Sequence, residues 1–335
     1  MNVLWLKDSK AGHRNKAGGL LRALGNLAPV EVVSYDLPAH WSAVRQLVAT
    51  LGRCGVHLPV RWLLPGLPDL GAIDLIVSAG GATQWANAAL AREYQKVNVF
   101  LGSPRHLPGS AFALIASHDA PVDQPPFHRF ALIPSLVTPA AAAQAAAGLA
   151  AAPAWGILIG GDGEGVSWTT RDYQTMLECF LAQARAAGVK IFIATSRRTP
   201  APVEARLRLL AEQSGLLAGA CWFHSRETNT IGVLAMLGAS ARLCVTIDSM
   251  SMTHEAVSSG RPVVVIAPAG AANPRMLKNV HALEGDGRLT VQPLGNLAIA
   301  NASPASGWNL VSSDPAAPLA AAVVAALARA QNTHT

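Results

Sequence analysis

The chain has 335 residues, 51% of them hydrophobic and 14% charged. That length suits about two domains, and the balance excludes a disordered chain, which needs low hydrophobicity and high net charge. The net charge of +6 is spread along the sequence without a block of like charges, so a nucleic-acid-binding tail is not expected.

The first half alternates short apolar runs with helical stretches. Strands are predicted at 3–6, 30–35, 74–78, 97–101 and 112–117, with a loop at 7–12 and helices at 14–27, 41–51 and from about 82 to 94. Residues 1–8 lack the basic start and long apolar run of a secretory leader. Residues 131–161 carry no charge, but Pro134, Pro139 and Pro153 interrupt them. They read as strand, Ala-rich helix and strand rather than as a spanning helix, which needs about 20 strongly apolar residues.

The second half repeats the pattern. Strands are predicted at 155–159, 190–195 and 243–247, and one at 263–266 closes the series. Helices are expected at 170–187, 203–214, 231–237, 252–259 and, in the tail, 318–331. Such alternation predicts an α/β fold of two Rossmann-like, doubly wound parallel-sheet domains facing a cleft. The expected division is 1–145 and 146–315, with 316–335 as a C-terminal helix and tail. Ligands of such sheets sit outside the carboxyl ends of the strands. Cys54, Cys179, Cys221 and Cys244 show no metal spacing and no close pair, so buried thiols in a reducing compartment are expected.

Four loops that follow predicted strands hold the candidate chemistry. Asp8-Ser9-Lys10-Ala11-Gly12-His13 opens into a helix, where free N–H groups suit an anion and Gly12 admits close approach. His13 is a candidate general base, its ordinary pKa lying near neutrality; the plain alternative is an exposed helix-entry histidine. In Gly160-Gly161-Asp162-Gly163-Glu164-Gly165, Gly160 and Gly161 are candidate diphosphate donors. The plain alternative is a tight turn, and the two acids have to point away from any phosphate. In Thr195-Ser196-Arg197-Arg198-Thr199-Pro200, Ser196, Arg197 and Arg198 can meet phosphate, or form a solvated turn.

The fourth loop runs Thr246-Ile247-Asp248-Ser249-Met250-Ser251-Met252-Thr253-His254-Glu255. Ser249 and Ser251 can donate to a phosphate at a helix start. Glu255, one helical turn further in, can accept both hydroxyls of a ribose. The alternative is a serine cap with a surface glutamate. His118 and Asp119 end the run FALIAS, and Arg105 follows VNVFLG. No His, Cys or carboxylate cluster has metal spacing, and no Gly-x-Ser-x-Gly elbow occurs.

The stretches DSKAGHRNKAGGL, VFLGSPR, FALIASHD, SRRTP and TIDSMSMTHEAVSSGRPV resemble, in order and spacing, the mitochondrial fission ELM-type family over residues 1–290. That family includes plant elongated-mitochondria proteins and many bacterial proteins described as glycosyltransferases. More distantly, the second half is similar to GT-B glycosyltransferases that use nucleotide sugars. The resemblance implies that Glu255 holds the donor ribose and that Gly160 and Gly161 form the second-domain loop. It also implies that His13 stands where members acting on lipid-linked acceptors carry a histidine. Two departures stand out. DSKAGH replaces a loop richer in glycine, and Ser78-Ala79-Gly80-Gly81 stands where the ELM-type pattern has serine, glycine and arginine.

The expectation is an inverting, metal-independent glycosyltransferase with its nucleotide diphosphate sugar on the second domain. His13 or Asp119 would deprotonate the acceptor, an envelope glycan or a lipid-linked sugar. Asp8, Lys10, Gly12, Arg105, His118, Asp248 and Met252 would line the cleft. No cofactor, metal or nucleic acid is expected, since the nucleotide sugar is a substrate. The expected place is the cytoplasm, with a peripheral contact at the inner face of the membrane. The alternatives are a non-catalytic interaction protein, as the plant members imply, and a nucleotide-sugar epimerase on the same fold.

Overall fold

The computed structural model describes residues 1–53, 59–149, 153–268, 270 and 273–332. The chain folds as two compact units, one of Met1–Leu136 with Pro315–Thr335 and one of Val137–Asp314. The division falls ahead of the expected 145/146 position, and the C-terminal helix joins the first unit.

Unit 1 runs β1 Asn2–Lys7, α1 Ala11–Gly25, β2 Glu31–Asp36, α2 Trp41–Arg53, β3 Leu75–Ala79, α3 Gln84–Glu93, β4 Val97–Leu101, β5 Leu114–Ser117 and β6 Phe127–Arg129. Its sheet is wholly parallel, in the order β2-β1-β3-β4-β5-β6. Central strands such as LIVSA of β3 are buried along their whole length, as a sheet covered on both faces requires. β2 lies at the edge and alternates instead.

Unit 2 runs α4 Pro139–Ala145, β7 Ala154–Ile159, α5 Thr170–Ala186, β8 Lys190–Thr195, α6 Ala201–Gln213, β9 Leu217–Cys221, α7 Val233–Ala239, β10 Arg242–Thr246, α8 Met250–Ser258, β11 Val263–Ala267, α9 Pro274–Gly285 and β12 Thr290–Pro293. Its parallel sheet has the order β12-β11-β10-β7-β8-β9. α5 starts on a reciprocal cap between Thr169 and Asp172, which satisfies two N–H groups that have no partner within the helix.

The closing helix α10, Ala317–Asn332, belongs to the core of unit 1. Its Leu319, Ala320 and Val323 are buried with Leu20 and Leu24 of α1 and Val77 of β3. Several expectations are corrected. The series does not close at β11, because β12 adds an edge strand, and β6 and β9 complete the other edges. No strand forms between β6 and α4, at residues 130–138; Pro134 cannot donate to a ladder. Cys54 lies outside the described residues, Cys244 is buried, and Cys179 and Cys221 are half-buried. No helix among the described residues is long and apolar enough to cross a membrane.

Each sheet reverses its strand order once near the middle. In unit 1 the chain leaves β1 for β2 on one side and returns to β3 on the other; in unit 2 it leaves β7 for β8 and returns to β10. The carboxyl ends of β1 and β3, and of β7 and β10, are therefore the crevices where doubly wound sheets bind ligands.

Candidate functional site

At the unit 1 crevice, Asp8 follows β1 directly and α1 begins at Ala11. Gly12 and His13 therefore belong to the first helical turn, not to the loop expected through residue 12. Asp8 Oδ1 accepts the Lys10 N–H at 3.0 Å, and Oδ2 lies 2.6 Å from His13 Nδ1. Asp8 is nearly buried and His13 partly exposed. A carboxylate on Nδ1 selects the tautomer that leaves Nε2 as the acceptor; among the described residues Nε2 has no partner. The ring rests on Gly80, just past β3, where an added Cβ would stand 2.1 Å from Nδ1 and where φ is +87°. The close approach and the left-handed backbone both require glycine.

Further along the same sheet edge, Arg105 follows β4 and is exposed, its N–H donating to Gln84 Oε1 at 2.7 Å. His118 and Asp119 follow β5, and His118 Nε2 lies 3.2 Å from Asp119 Oδ1. Lys10 is exposed. The unit 1 candidates thus share the carboxyl edge of β1, β3, β4 and β5.

At the unit 2 crevice the expected diphosphate donors are already engaged, which corrects the assignment of Gly160 and Gly161. Gly160 N–H donates to Thr246 Oγ1 at 2.7 Å, and Gly161 N–H to Asp248 Oδ2 at 3.0 Å. The glycines serve packing: a Cβ on Gly160 would lie 2.0 Å from Asp248 Oδ2, and one on Gly161 2.0 Å from the Arg198 carbonyl. The rest of the loop folds on itself. Asp162 accepts the Trp168 N–H at 2.8 Å, and Gly163 pairs with Val166 across Glu164 and Gly165, both at positive φ, the signature of a mirror-image hairpin turn.

Asp248 is fully buried and receives Arg198 Nη2 at 2.6 Å, so Arg198 is an ion-pair partner before it is a phosphate ligand. Burial pushes the Asp248 carboxyl up, against the opposing pull of Thr246, the Gly161 N–H and Arg198. Burial and then the Asp248 charge push the Tyr173 phenol up as well. Arg197 keeps its side chain exposed. The turn beneath it is fixed by Ser196 N–H to Thr199 Oγ1 at 3.1 Å and Arg198 N–H to Ser196 Oγ at 3.2 Å.

α8 begins at Met250, two residues before the expected start at Met252, so Ser251 lies in its first turn rather than in a loop. Ser249 caps it by accepting the Met252 N–H at 3.4 Å. Glu255 is half-buried, one to two turns in, whereas the neighbouring His254 is buried and 2.8 Å from Asn279 Oδ1. Sequence reading missed Glu204 of α6. Its carboxylate accepts the Thr195 hydroxyl at 2.5 Å and the N–H groups of Phe223, His224 and Ser225 at 2.9 Å. Burial alone would raise this carboxyl, but those donors together hold it below its ordinary value. Among the described residues no group of His, Cys, Asp or Glu could hold a metal ion.

Two parallel six-stranded sheets, each with polar groups at its switch point, place the protein in the GT-B-like class of two-sheet α/β folds. Residues 11–327 match the family described as Mitochondrial fission ELM1, and the chain belongs to that family. No curated protein matches it in sequence. UDP-GlcNAc 2-epimerase from Methanocaldococcus jannaschii is similar at TM-score 0.56 and 9% identity, over 97% of this chain and 100% of its own. Its complex with UDP-GlcNAc and UDP gives 0.54 and 10%, over 97% and 99%. MurG from Acinetobacter baumannii gives 0.47 and 10%, over 99% and 95%. At these identities the likeness is one of fold.

Proposed function

We propose that the protein is an inverting, metal-independent glycosyltransferase that takes a sugar from a nucleotide diphosphate sugar. The observation that carries the reading is the Asp8–His13 pair at the β1/β3 switch point, 2.6 Å apart. A carboxylate holding one ring nitrogen leaves the other to take the proton of an acceptor hydroxyl. Asp119, exposed at the end of β5, is the alternative base. As His13 removes the proton, the acceptor oxygen attacks the anomeric carbon and the bond to the diphosphate breaks. The acceptor is an envelope glycan or a lipid-linked sugar.

The donor would lie at the β7/β10 switch point. Because Gly160 and Gly161 are engaged, its diphosphate would meet the first turn of α8, Ser249, Ser251 and the exposed Arg197. Preorganised N–H groups and a cation stabilise a leaving diphosphate without a metal. Glu255 would accept the ribose hydroxyls.

A titration with UDP, GDP, CMP and dTDP, without metal and then with magnesium, tests this. One nucleotide is expected to bind saturably without metal, and Glu255→Ala to weaken it at least about tenfold, or ~1.4 kcal/mol. Unchanged affinity in that variant removes Glu255 from the site. A folded protein that binds none of the four sinks the transferase reading in favour of a non-catalytic interaction protein. The second reading is epimerisation, the activity named for the Methanocaldococcus jannaschii structures that share the fold. Incubation with donor alone separates the two, since an epimerase changes the sugar without an acceptor.

A further inference from the structure

Unit 1 contains a cavity of about 750 Å³ away from the β1/β3 crevice, within the roughly 300–1,000 Å³ range of small-molecule sites. It is walled by α2, α3 and the loop leading into β5. Space exists there because the facing positions are small: Ala88 and Ala89 on α3, Ala111 and Ala113 on the loop. Trp85, Leu107 and Phe112 supply apolar wall.

The loop wall is pinned, so the space is built rather than incidental. Buried Asn98 of β4 donates to Asn87 Oδ1 at 2.8 Å and to the Ala111 carbonyl at 3.0 Å, and accepts the Ala113 N–H at 2.9 Å. Asn87 is held in turn by Ser78 at 2.9 Å and by the Val99 carbonyl at 3.1 Å.

The charged residues of the lining all have the same sign. Arg92 and Lys96 line the cavity together with His106, and no carboxylate does so among the described residues. Lys96 Nζ contacts the Gly71 carbonyl at 3.0 Å, leaving it further donors. Glu93, beside Arg92 in sequence, is engaged by the Val60 N–H at 3.2 Å. α2 and the turn Val60–Leu63, which contribute Val48 and Val60 to the lining, also expose the apolar side chains of Leu47 and Trp62.

An apolar chamber with cations and no acid suits one class of ligand. We infer that this cavity binds a single-chain amphiphile, its hydrocarbon tail among the alanines and its anionic head on Arg92 and Lys96. The burial of apolar surface drives entry, and the cations set the preference for an anionic head. The site is separate from the proposed donor site, so either stands without the other.

Calorimetric titration with dodecyl phosphate below its micelle concentration tests the inference, with inorganic phosphate and dodecyl trimethylammonium as controls. Saturable one-to-one binding of dodecyl phosphate alone is expected. Ala88→Phe, which fills the chamber, should weaken it at least about tenfold, and Arg92→Gln, an exposed side chain, by about fivefold. Thermal unfolding verifies that both variants are folded. Binding of dodecyl phosphate without sedimentation by anionic phospholipid vesicles supports a free single-chain amphiphile; sedimentation that dodecyl phosphate reverses overturns it in favour of a two-chain bilayer lipid. A folded protein that takes up no dodecyl phosphate, or an Ala88→Phe variant binding as tightly as the parent, overturns the inference.

Discussion

Asp8 Oδ2 and His13 Nδ1 meet at 2.6 Å although one residue follows a strand and the other sits in the first turn of a helix. The two bonds to Asp8, from the Lys10 N–H and the imidazole, fix the ring before any ligand arrives. On the proposed function, His13→Ala should lower sugar transfer by about 10²–10⁴. Asp8→Asn should lose part of that factor while nucleotide affinity is unchanged. Rates measured with the donor that binds, beside the nucleotide titration, verify the split; an active His13→Ala variant shifts the base to Asp119.

Gly80 carries the imidazole, and its replacement tests that packing directly. In Gly80→Ala the new Cβ would stand 2.1 Å from Nδ1 at a φ of +87°. The expected cost is about 1–3 kcal/mol, read as a lowered unfolding midpoint. A variant as stable as the parent would mean that the ring swings away freely.

Arg198 partners a fully buried carboxylate while keeping 30% of its own side-chain exposure. Breaking a wholly buried pair costs roughly 3–5 kcal/mol. The partial exposure of Arg198 reduces this, so Arg198→Ala should lose about 2–3 kcal/mol. Adding Asp248→Asn should restore part of it, which a double-mutant cycle in denaturant measures. Arg197→Ala should leave stability within about 0.5 kcal/mol.

Asp248 and Glu204 should give opposite pH dependences of stability. The Asp248 carboxyl is raised above its ordinary 3.8, so the folded state holds that proton longer than the unfolded chain. Its contribution is complete below 3.8 and is lost as pH rises through the folded value. Glu204 is lowered below 4.5, so its contribution is present above 4.5 and lost as pH falls through the folded value. Asp248→Asn should therefore gain on the parent as pH rises, whereas the deficit of Glu204→Gln should shrink on acidification. Parallel curves for parent and variant would remove that residue from the pH dependence.

The alternation of apolar runs with helical stretches was enough to read two parallel sheets, because buried strands such as AWGILI announce themselves. β12 and β6 are short and only partly buried, and their sequences lack that apolar run. The Asp8-to-His13 spacing was visible, but Gly80 lies far along the chain and its role depends on β1 and β3 being neighbours. The glycine loop misled for a physical reason: its N–H groups look free in sequence, yet Thr246 and Asp248, more than eighty residues on, accept them. Glu204 left no signal, since three of its donors are backbone groups of residues 223–225 and the fourth is the Thr195 hydroxyl on another element.

The placement of α10 sets an order of assembly. Unit 1 begins at Met1, yet the helix that buries Leu319 and Val323 in its core is made only after the whole of unit 2. Domains fold as units while the chain emerges from the ribosome. All of Val137–Asp314 is synthesised before α10, so the inserted unit can be finished while its host still waits. The unit whose synthesis starts first is thus completed after the unit inserted into it, and until then the faces of α1, β4 and β5 that α10 packs against stay uncovered.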